Sequence, residues 1–258
     1  MKSIFTAINI RLVLLTAIVL IISSFNKSEN FLEKQLKFER VRNAAESKLK
    51  NIENQLIKHH LKSNNFKMLI VAYKDLDELE IYVKNKNEIS YKPYKNFEVC
   101  SRSGDLGPKN KQGDGQVPEG IYYIDRFNPS SNYFLSLGLN YPNKSDLIRS
   151  KTKFPGGDIF IHGACVSIGC LPMTDEQIKE IYLMAVLAKN NGQEAIPVYI
   201  FPFKMNDENM NAYREKYDAN TQVIDFWENL KTAFILFNKN KREIKYQVQK
   251  DGKYKFYN

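Results

Sequence analysis

The chain has 258 residues, enough for one sizeable globular domain with an appendage, since domains commonly hold roughly 100–200 residues. Its net charge is +9, with 38 Lys and Arg against 29 Asp and Glu. The lysines are interleaved with acidic residues and form no compact basic block, which argues against a nucleic-acid-binding protein.

Residues 1–25 carry either a signal peptide or a membrane anchor. Lys2 and Arg11 precede the uncharged run LVLLTAIVLII at 12–22, which has the length of a signal-peptide core and is short of the about 20 apolar residues of a membrane span. No clean Ala-x-Ala cleavage site follows, so both alternatives stay open. Either way we expect export to the periplasm or cell envelope, where a cationic protein meets anionic polymers or lipid surfaces.

An N-terminal helix is predicted over residues 28–62. Apolar residues recur there at three- and four-residue steps among charges, and no Gly or Pro occurs before Pro93. His59 and His60 lie at its polar end. Adjacent helical residues face different directions, which favours exposed polar side chains over a metal site.

A strand-rich region follows the helix. Apolar or alternating runs predict strands at 67–73, 78–83, 97–100, 121–124, 133–137, 158–161 and 197–201. The fold class predicted from this pattern is α+β, a compact β-rich domain with flanking helices.

A glycine-rich segment at 103–120 predicts loops. It lacks the spacing of phosphate-binding and dinucleotide-binding loops, so the sequence indicates no nucleotide cofactor. Its polar residues Lys109, Asp114, Gln116 and Glu119 either shape a cleft or lie at the solvent-facing surface of turns.

The last part of the chain is predicted to be mainly helical. Thr174 and Gln177 form a capping box that opens a helix over 175–189. Two more helices are predicted at 206–217 and 222–238, the second with the chain's single Trp.

The segment GDIFIHGACVSIGCLP at 157–172 holds two of the three cysteines and one of the three histidines. His162 ends an apolar strand, and Cys170 follows eight residues later. A nearby base makes a thiol a useful nucleophile at neutral pH, so a thiolate–imidazolium pair here would attack an amide or ester carbonyl. Ser167 would orient one partner or line the site, and amides near Gly169 and Cys170 would face a developing oxyanion.

A metal site and a disulfide are the alternatives. His162, Cys165 and Cys170 are one ligand short of a structural zinc site, which Cys100 would complete. A Cys165–Cys170 or Cys100–Cys165 disulfide also fits the sequence. An odd number of cysteines in an oxidising compartment leaves at least one unpaired, which favours a reactive thiol.

Five separate segments carry a resemblance to one known family. They are IFIHGACVSIGCLPMTDEQIKEIY (159–182), SGDLGPKNKQGDGQVPEGIYYID (103–125), LGLNYPNKSD (137–146), IFPFKM (200–205) and FWENLK (226–231). Together they resemble the L,D-transpeptidase (YkuD-type) catalytic domain, and most closely its YafK-like branch. The resemblance extends over roughly residues 30–258, and its spread over several motifs argues against chance.

The resemblance implies a sandwich-like mixed sheet around the site and a role for each motif residue. Cys170 matches the nucleophile and His162 the proton donor and acceptor. Gly163, Ser167 and Gly169 match the supporting motif residues.

Three departures from the general family pattern stand in the motif. The spacer after His-Gly is much shorter, Ile168 replaces a second histidine, and Pro172 replaces an Arg or Asn after the nucleophile. The YafK-like branch shares the first two. The departures place in question whether substrate contacts match those of ordinary crosslinking enzymes. Arg149, before the motif, is a candidate for binding a stem-peptide carboxylate, with an exposed solvated side chain as the alternative.

The predicted domain organisation is therefore an N-terminal signal or anchor (1–25), a helix (28–62), an L,D-transpeptidase-like catalytic domain (66–203) and a C-terminal helical extension (204–258). The resemblance implies an exported cysteine acyl-transfer enzyme that acts on peptidoglycan stem peptides through a thioester, without a cofactor, as a transpeptidase or as a related amidase or hydrolase that releases wall-attached protein. The alternative is a non-catalytic wall-binding or scaffold protein.

Overall fold

The computed structural model describes residues 29–150 and 152–257. Within these ranges the chain is an α+β protein with one eight-stranded mixed sheet, a two-stranded hairpin and six α-helices. The predicted signal or anchor at 1–25 lies outside the described residues. None of the described helices is both long enough and apolar enough to cross a membrane.

The helices and strands have the following bounds. The helices are α1 (Phe31–Gln35), α2 (Glu39–Lys58), α3 (Lys144–Arg149), α4 (Asp175–Asn190), α5 (Asp207–Lys216) and α6 (Thr221–Asn240). The strands are β1 (Phe66–Tyr73), β2 (Glu78–Asn85), β3 (Lys92–Glu98), β4 (Gly120–Asn128), β5 (Ser136–Leu139), β6 (Phe160–His162), β7 (Leu171–Pro172), β8 (Ile196–Phe201), β9 (Lys245–Val248) and β10 (Tyr254–Tyr257).

The main sheet has the order β3-β2-β1-β8-β4-β5-β6-β7. The pairs β1–β8 and β6–β7 are parallel, and the others are antiparallel. All seven predicted strands occur, but the one predicted at 133–137 begins only at Ser136. Phe134 explains the shift, because its φ of +67° is incompatible with an extended strand.

Helices cover both faces of this sheet, which confirms the mixed sheet implied by the resemblance, and the β9–β10 hairpin packs on the face that carries α6. Alternate residues of β1 separate the two layers, since successive side chains of a strand point to opposite faces. Met68 and Ile70 belong to a core that also contains residues of α2 and α4. Leu69 and Val71 belong to a second core that also contains residues of α6.

The predicted single helix over 28–62 is corrected to two helices, α1 and α2. The backbone of Phe38 is extended (φ −85°, ψ 129°) and interrupts the helix. The Arg42 guanidinium donates to the carbonyls of Leu36 and Lys37, at 3.1 and 2.7 Å, which satisfies acceptors freed at the break. The apolar periodicity cannot reveal this break, because residues on both sides of it still pack against α4.

The predicted C-terminal helical extension over 204–258 is also corrected. Its two helices are followed by the β9–β10 hairpin. The Asn229 side chain on α6 holds this hairpin by accepting from the Tyr254 amide at 2.8 Å and donating to the Tyr254 carbonyl at 2.9 Å. Trp227 and Phe237 are fully buried in the second core, so this region completes the fold.

A buried ion pair connects the sheet, the glycine-rich loop and α6. Lys74, directly after β1, lies 2.9 Å from the Glu119 carboxylate and also donates to the carbonyls of Gly107 and Val117 at 2.9 Å. Glu119 is fully buried and accepts from the Gly107 amide at 2.6 Å and from the Trp227 indole at 2.8 Å. Each charge is thus paired and hydrogen-bonded, as burial requires.

We expect Glu119→Ala to lower the free energy of unfolding by about 3–5 kcal/mol, because it leaves the Lys74 ammonium buried without its counter-ion. Chemical denaturation measures this loss. The control is Glu88→Ala, which breaks an exposed pair with Lys92 and should cost less than about 1 kcal/mol. Equal losses in the two variants would contradict the role given to the buried pair.

Candidate active site

Two neighbouring parallel strands bring His162 and Cys170 together. The register pairs Ile161 with Leu171 and His162 with Pro172. Cys170 immediately precedes β7, so continuing this register by one residue sets it beside Phe160. Paired residues share a face of a sheet, and so do residues two apart on a strand. Cys170 therefore lies on the same face as His162, at the edge of the sheet.

The His162 ring is held in one orientation by its neighbours. The side chain is only 2% exposed, and its Nδ1 lies 2.5 Å from the Gly163 carbonyl. A carbonyl accepts only, so Nδ1 carries a proton and Nε2 of the neutral ring is the free base. The Tyr133 ring packs against the imidazole at a centroid distance of 4.6 Å. Burial lowers the pKa of His162, and the bond to Gly163 partly opposes this shift.

Cys170 is the free cysteine of the chain and is partly buried. Its Sγ accepts from the Phe160 amide at 3.4 Å and donates to the Asp158 carbonyl at 3.7 Å. Among the described residues, no hydrogen bond joins Cys170 Sγ to His162. Burial raises the pKa of the Cys170 thiol, while the Phe160 amide and the charge of Lys109 lower it. The shifts of the two groups favour a neutral thiol beside a neutral imidazole, rather than the thiolate–imidazolium pair expected from the motif.

Ser167 fixes the turn that leads into Cys170. Its Oγ accepts from the amides of Gly169 and Cys170, at 3.1 and 2.9 Å, and donates to the Cys170 carbonyl at 2.9 Å. The orienting role of Ser167 in catalysis stays a prediction. The role of the two amides toward a developing oxyanion also stays a prediction, and in this structure both donate to Ser167 Oγ.

Two glycines of the motif are required by close approach. A Cβ on Gly163 would lie 2.5 Å from Asp175 Oδ1 and 3.0 Å from the Tyr133 carbonyl. Gly169 has a φ of +131°, and a Cβ there would lie 3.0 Å from the Gln116 carbonyl of the glycine-rich loop. Both positions therefore exclude a side chain for steric reasons.

A disulfide resolves the question of the other two cysteines. Cys100, just after β3, is bonded to Cys165 across 65 residues of sequence. Their sulfurs are therefore not thiolate ligands for zinc, and Cys165 does not pair with Cys170. Ala164 and Cys165 both have positive φ, 65° and 31°, so the disulfide and the Asp175 carboxylate, which accepts from the Ala164 amide at 2.9 Å, hold a strained segment in place.

A cavity of about 210 Å³ opens beside Cys170. One wall comes from the turn after β1 and from β7, a second from the start of the glycine-rich loop, and a third from α5. The lining side chains include Asp75, Asp77, Val99, Arg102, Leu106, Val117, Cys170, Leu171, Tyr213, Lys216 and Tyr217. The cavity thus brings the Cys170 thiol together with polar and aromatic side chains.

Arg149 does not line this cavity. It borders a different one with Asn110, Asn220 and Lys253, and its guanidinium lies 3.5 Å from the centre of the Phe226 ring. The carboxylate-binding role given to Arg149 stays a prediction, and the structure does not bring this residue together with Cys170.

The polar residues singled out in the glycine-rich loop support the loop from within. Lys109 and Asp114 form a buried ion pair at 2.5 Å, and Glu119 belongs to the pair with Lys74. The Gln116 side chain accepts from the Asp105 amide at 3.1 Å. These residues therefore shape the cleft only indirectly, by fixing the course of the loop.

Sequence reasoning missed four of the residues that line the cavity. Asp75 and Arg102 lie in turns without a motif, and Tyr213 and Tyr217 lie on a helix predicted only from its pattern. An i, i+4 spacing of two tyrosines is the one available signal, and it is equally typical of residues buried in a core. Tyr133, which contacts His162, lies in an irregular turn, and no motif in the sequence marks it as a site residue.

Comparison with known proteins assigns the class. Residues 68–200 match the model of the L,D-transpeptidase catalytic domain (YkuD), and the chain belongs to this family. Among curated proteins, the "Putative L,D-transpeptidase YafK" of Escherichia coli (strain K12) is 37% identical over 175 residues, which are 67% of each chain. The protein of the same name from Escherichia coli O157:H7 matches equally.

Two solved structures are also similar. The helical cell shape determining protein Pgp2 from Campylobacter jejuni aligns at 18% identity and a TM-score of 0.43, over 71% of this chain and 73% of that one. Bd1075 of Bdellovibrio bacteriovorus aligns at 18% identity and a TM-score of 0.39, over 71% and 75% of the two chains.

We expect the disulfide to stabilise the fold by about 4 kcal/mol, the entropy cost of closing a loop of this length in the unfolded chain. Unfolding of the double variant Cys100→Ser/Cys165→Ser measures it against the parent. Thiol labelling in denaturant is the control. One thiol should react before reduction and three after it, and three reactive thiols before reduction would contradict the pairing.

We expect the alkylation rate of Cys170 to rise with pH through a midpoint above that of an ordinary thiol. The reason is that only the thiolate reacts and burial raises the pKa of this group. Iodoacetamide kinetics across a pH series measure the midpoint. The same chain in denaturant, with its disulfide intact, supplies the ordinary value. A folded-state midpoint below the denatured one would instead indicate a preformed thiolate–imidazolium pair.

Proposed function

We propose that this chain is an exported cysteine acyl-transfer enzyme that acts on peptidoglycan stem peptides. Cys170 attacks the carbonyl of a diaminopimelate residue, and His162 accepts the thiol proton and then donates it to the leaving amine. A thioester forms as the amide C–N bond breaks, and an amine or water then releases the acyl group from the sulfur. Residues 66–203, with the motif supports Gly163, Ser167 and Gly169, carry this chemistry.

One observation carries the proposal. The free thiol Cys170 borders a cavity and lies on the same face of two paired strands as a histidine whose Nδ1 is bonded to a backbone carbonyl. That carbonyl supplies the orienting third group of a nucleophile–base arrangement and leaves Nε2 to exchange the proton. Membership of the L,D-transpeptidase family supports the choice of peptidoglycan as substrate.

The acceptor decides between transfer and hydrolysis. The shortened spacer and Pro172 distinguish this motif from the general family pattern, which makes hydrolysis, with release of peptide or attached protein, a second outcome of the same thioester. Incubation of the protein with defined muropeptides, with and without an acceptor amine, followed by mass spectrometry, separates the two. A crosslinked product indicates transfer, and a shortened peptide alone indicates hydrolysis.

We expect Cys170→Ala and Cys170→Ser to abolish turnover of muropeptides and to leave the fold intact. His162→Ala should lower the rate by about 10²–10⁴-fold, the usual contribution of a general acid–base group. Product formation and thermal unfolding are measured on the same preparations. Cys100→Ser/Cys165→Ser is the matched cysteine control and should retain turnover wherever it is folded. Turnover by a Cys170 variant would overturn the assignment.

Acylation by a carbapenem distinguishes this enzyme from a non-catalytic wall-binding scaffold. An activated thiol opens the β-lactam and gains its full mass, so peptide mapping should place one adduct on Cys170 and none on the disulfide cysteines. A scaffold with an unreactive thiol would give no adduct, and this result together with absent turnover would favour the scaffold.

A further inference from the structure

Asp75 lines the same cavity as Cys170. It lies two residues after the end of β1. The Tyr213 hydroxyl donates to Asp75 Oδ2 at 3.1 Å, but Asp75 Oδ1 is buried and has no hydrogen-bond partner among the described residues. Buried carboxylate oxygens are normally satisfied, so an orphan oxygen beside a cavity calls for a donor from outside the chain.

Two ion pairs at the cavity are already formed, whereas Asp105 and Lys216, which also line it, form no ion pair among the described residues. The Asp77 carboxylate is held by the Arg102 guanidinium at 2.7–3.1 Å, and Lys74 is paired with Glu119. No described Lys or Arg lies within ion-pair distance of Asp75, although the chain carries 38 of them. Burial raises the pKa of Asp75, while the Tyr213 hydroxyl, the backbone amides of Asp75 and Leu76 and the charge of Arg102 lower it.

The unpartnered carboxylate oxygen of Asp75 favours a cation as its ligand. The rings of Tyr213 and Tyr217 line the same cavity, and aromatic faces attract positive charge; the Lys216 ammonium lies 6.0 and 5.9 Å from their centres. Arg102, the guanidinium that would hold an anion there, already donates to Asp77 and to the Asp75 carbonyl at 2.8 Å.

We infer that the acyl donor carries a primary ammonium group that binds Asp75 beside Tyr213 and Tyr217, while its reacting carbonyl lies at Cys170. This inference rests on the proposed acyl transfer, because that reaction defines which ligand enters the cavity. Asp75 then selects donors by the charge at the end of the acyl side chain, at a distance from the bond that breaks.

Binding of two peptides to the full-length chain carrying Cys170→Ala tests the inference. One is a stem tetrapeptide with diaminopimelate at its third position, and the other has 2-aminopimelate there and lacks only the free ammonium. Calorimetry should give about tenfold tighter binding of the first peptide, the usual effect of a charge-assisted hydrogen bond. Adding Asp75→Asn should remove this preference. Equal affinities of the two peptides for the chain that retains Asp75 would overturn the proposed ammonium site.

Glu78→Gln is the matched control, since it removes a nearby carboxylate that pairs with Lys204 and does not line the cavity. It should keep the tenfold preference. If Asp75→Asn does not fold, the carbon shift of the Asp75 carboxyl is followed by NMR with Asp75 intact. It should move with the diaminopimelate peptide only, and an equal shift with both peptides would overturn the inference.

Turnover of the same two peptides by the parent chain separates this inference from the proposed function. Equal turnover efficiency with both overturns the ammonium site and leaves the acyl transfer standing. A binding preference without any turnover supports the ammonium site and overturns the acyl transfer.

Discussion

The active-site region depends on one buried carboxylate, that of Glu119. It accepts hydrogen bonds from Lys74 after β1, from the Gly107 amide in the glycine-rich loop and from the Trp227 indole on α6. Three segments far apart in sequence are thereby fixed to one another. A buried ion pair contributes little net stability, since desolvation offsets most of its attraction. Any arrangement that leaves one of the two charges buried without its partner is costly, however. The pair therefore specifies one course for the loop, which would otherwise have many.

The course of the glycine-rich loop matters because this loop packs against the turn directly before Cys170. The Gln116 carbonyl lies so close to Gly169 that no side chain fits there, and the Ser103 hydroxyl donates to the Gly115 carbonyl at 2.6 Å across the loop. On the other side of the motif, the disulfide connects Cys165 to the end of β3. The segment between His162 and Cys170 is thus held by a packed backbone and by a covalent bond. Such support keeps Cys170 and His162, the proposed nucleophile and base, in a fixed relation.

The sequence was informative where chemistry and local pattern coincide. The capping box at Thr174, the strand before His162 and the odd cysteine number led to the correct elements and the free thiol. It was uninformative where the decisive contact is long-range. Nothing local shows that Trp227 reaches Glu119 or that Asp75 borders the Cys170 cavity, because both contacts arise only when the sheet and α6 assemble. The break at Phe38 was hidden for a related reason, since apolar periodicity reports the buried face and is blind to the hydrogen bonds within a helix.

In the proposed acyl transfer, the directions of the two pKa shifts bear on how the site reaches its transition state. Burial disfavours both the thiolate and the imidazolium, so proton transfer from Cys170 to His162 would become favourable only as negative charge moves from sulfur to the attacked carbonyl oxygen. The Gly163 carbonyl already supports the positive charge on the imidazole. In that mechanism the oxygen needs donors as well, and the amides of Gly169 and Cys170, the candidates from the motif, are bonded to Ser167 Oγ. Ser167 would therefore compete with the oxyanion for these donors, and the conformation of its turn would become part of the proposed reaction rather than only its support.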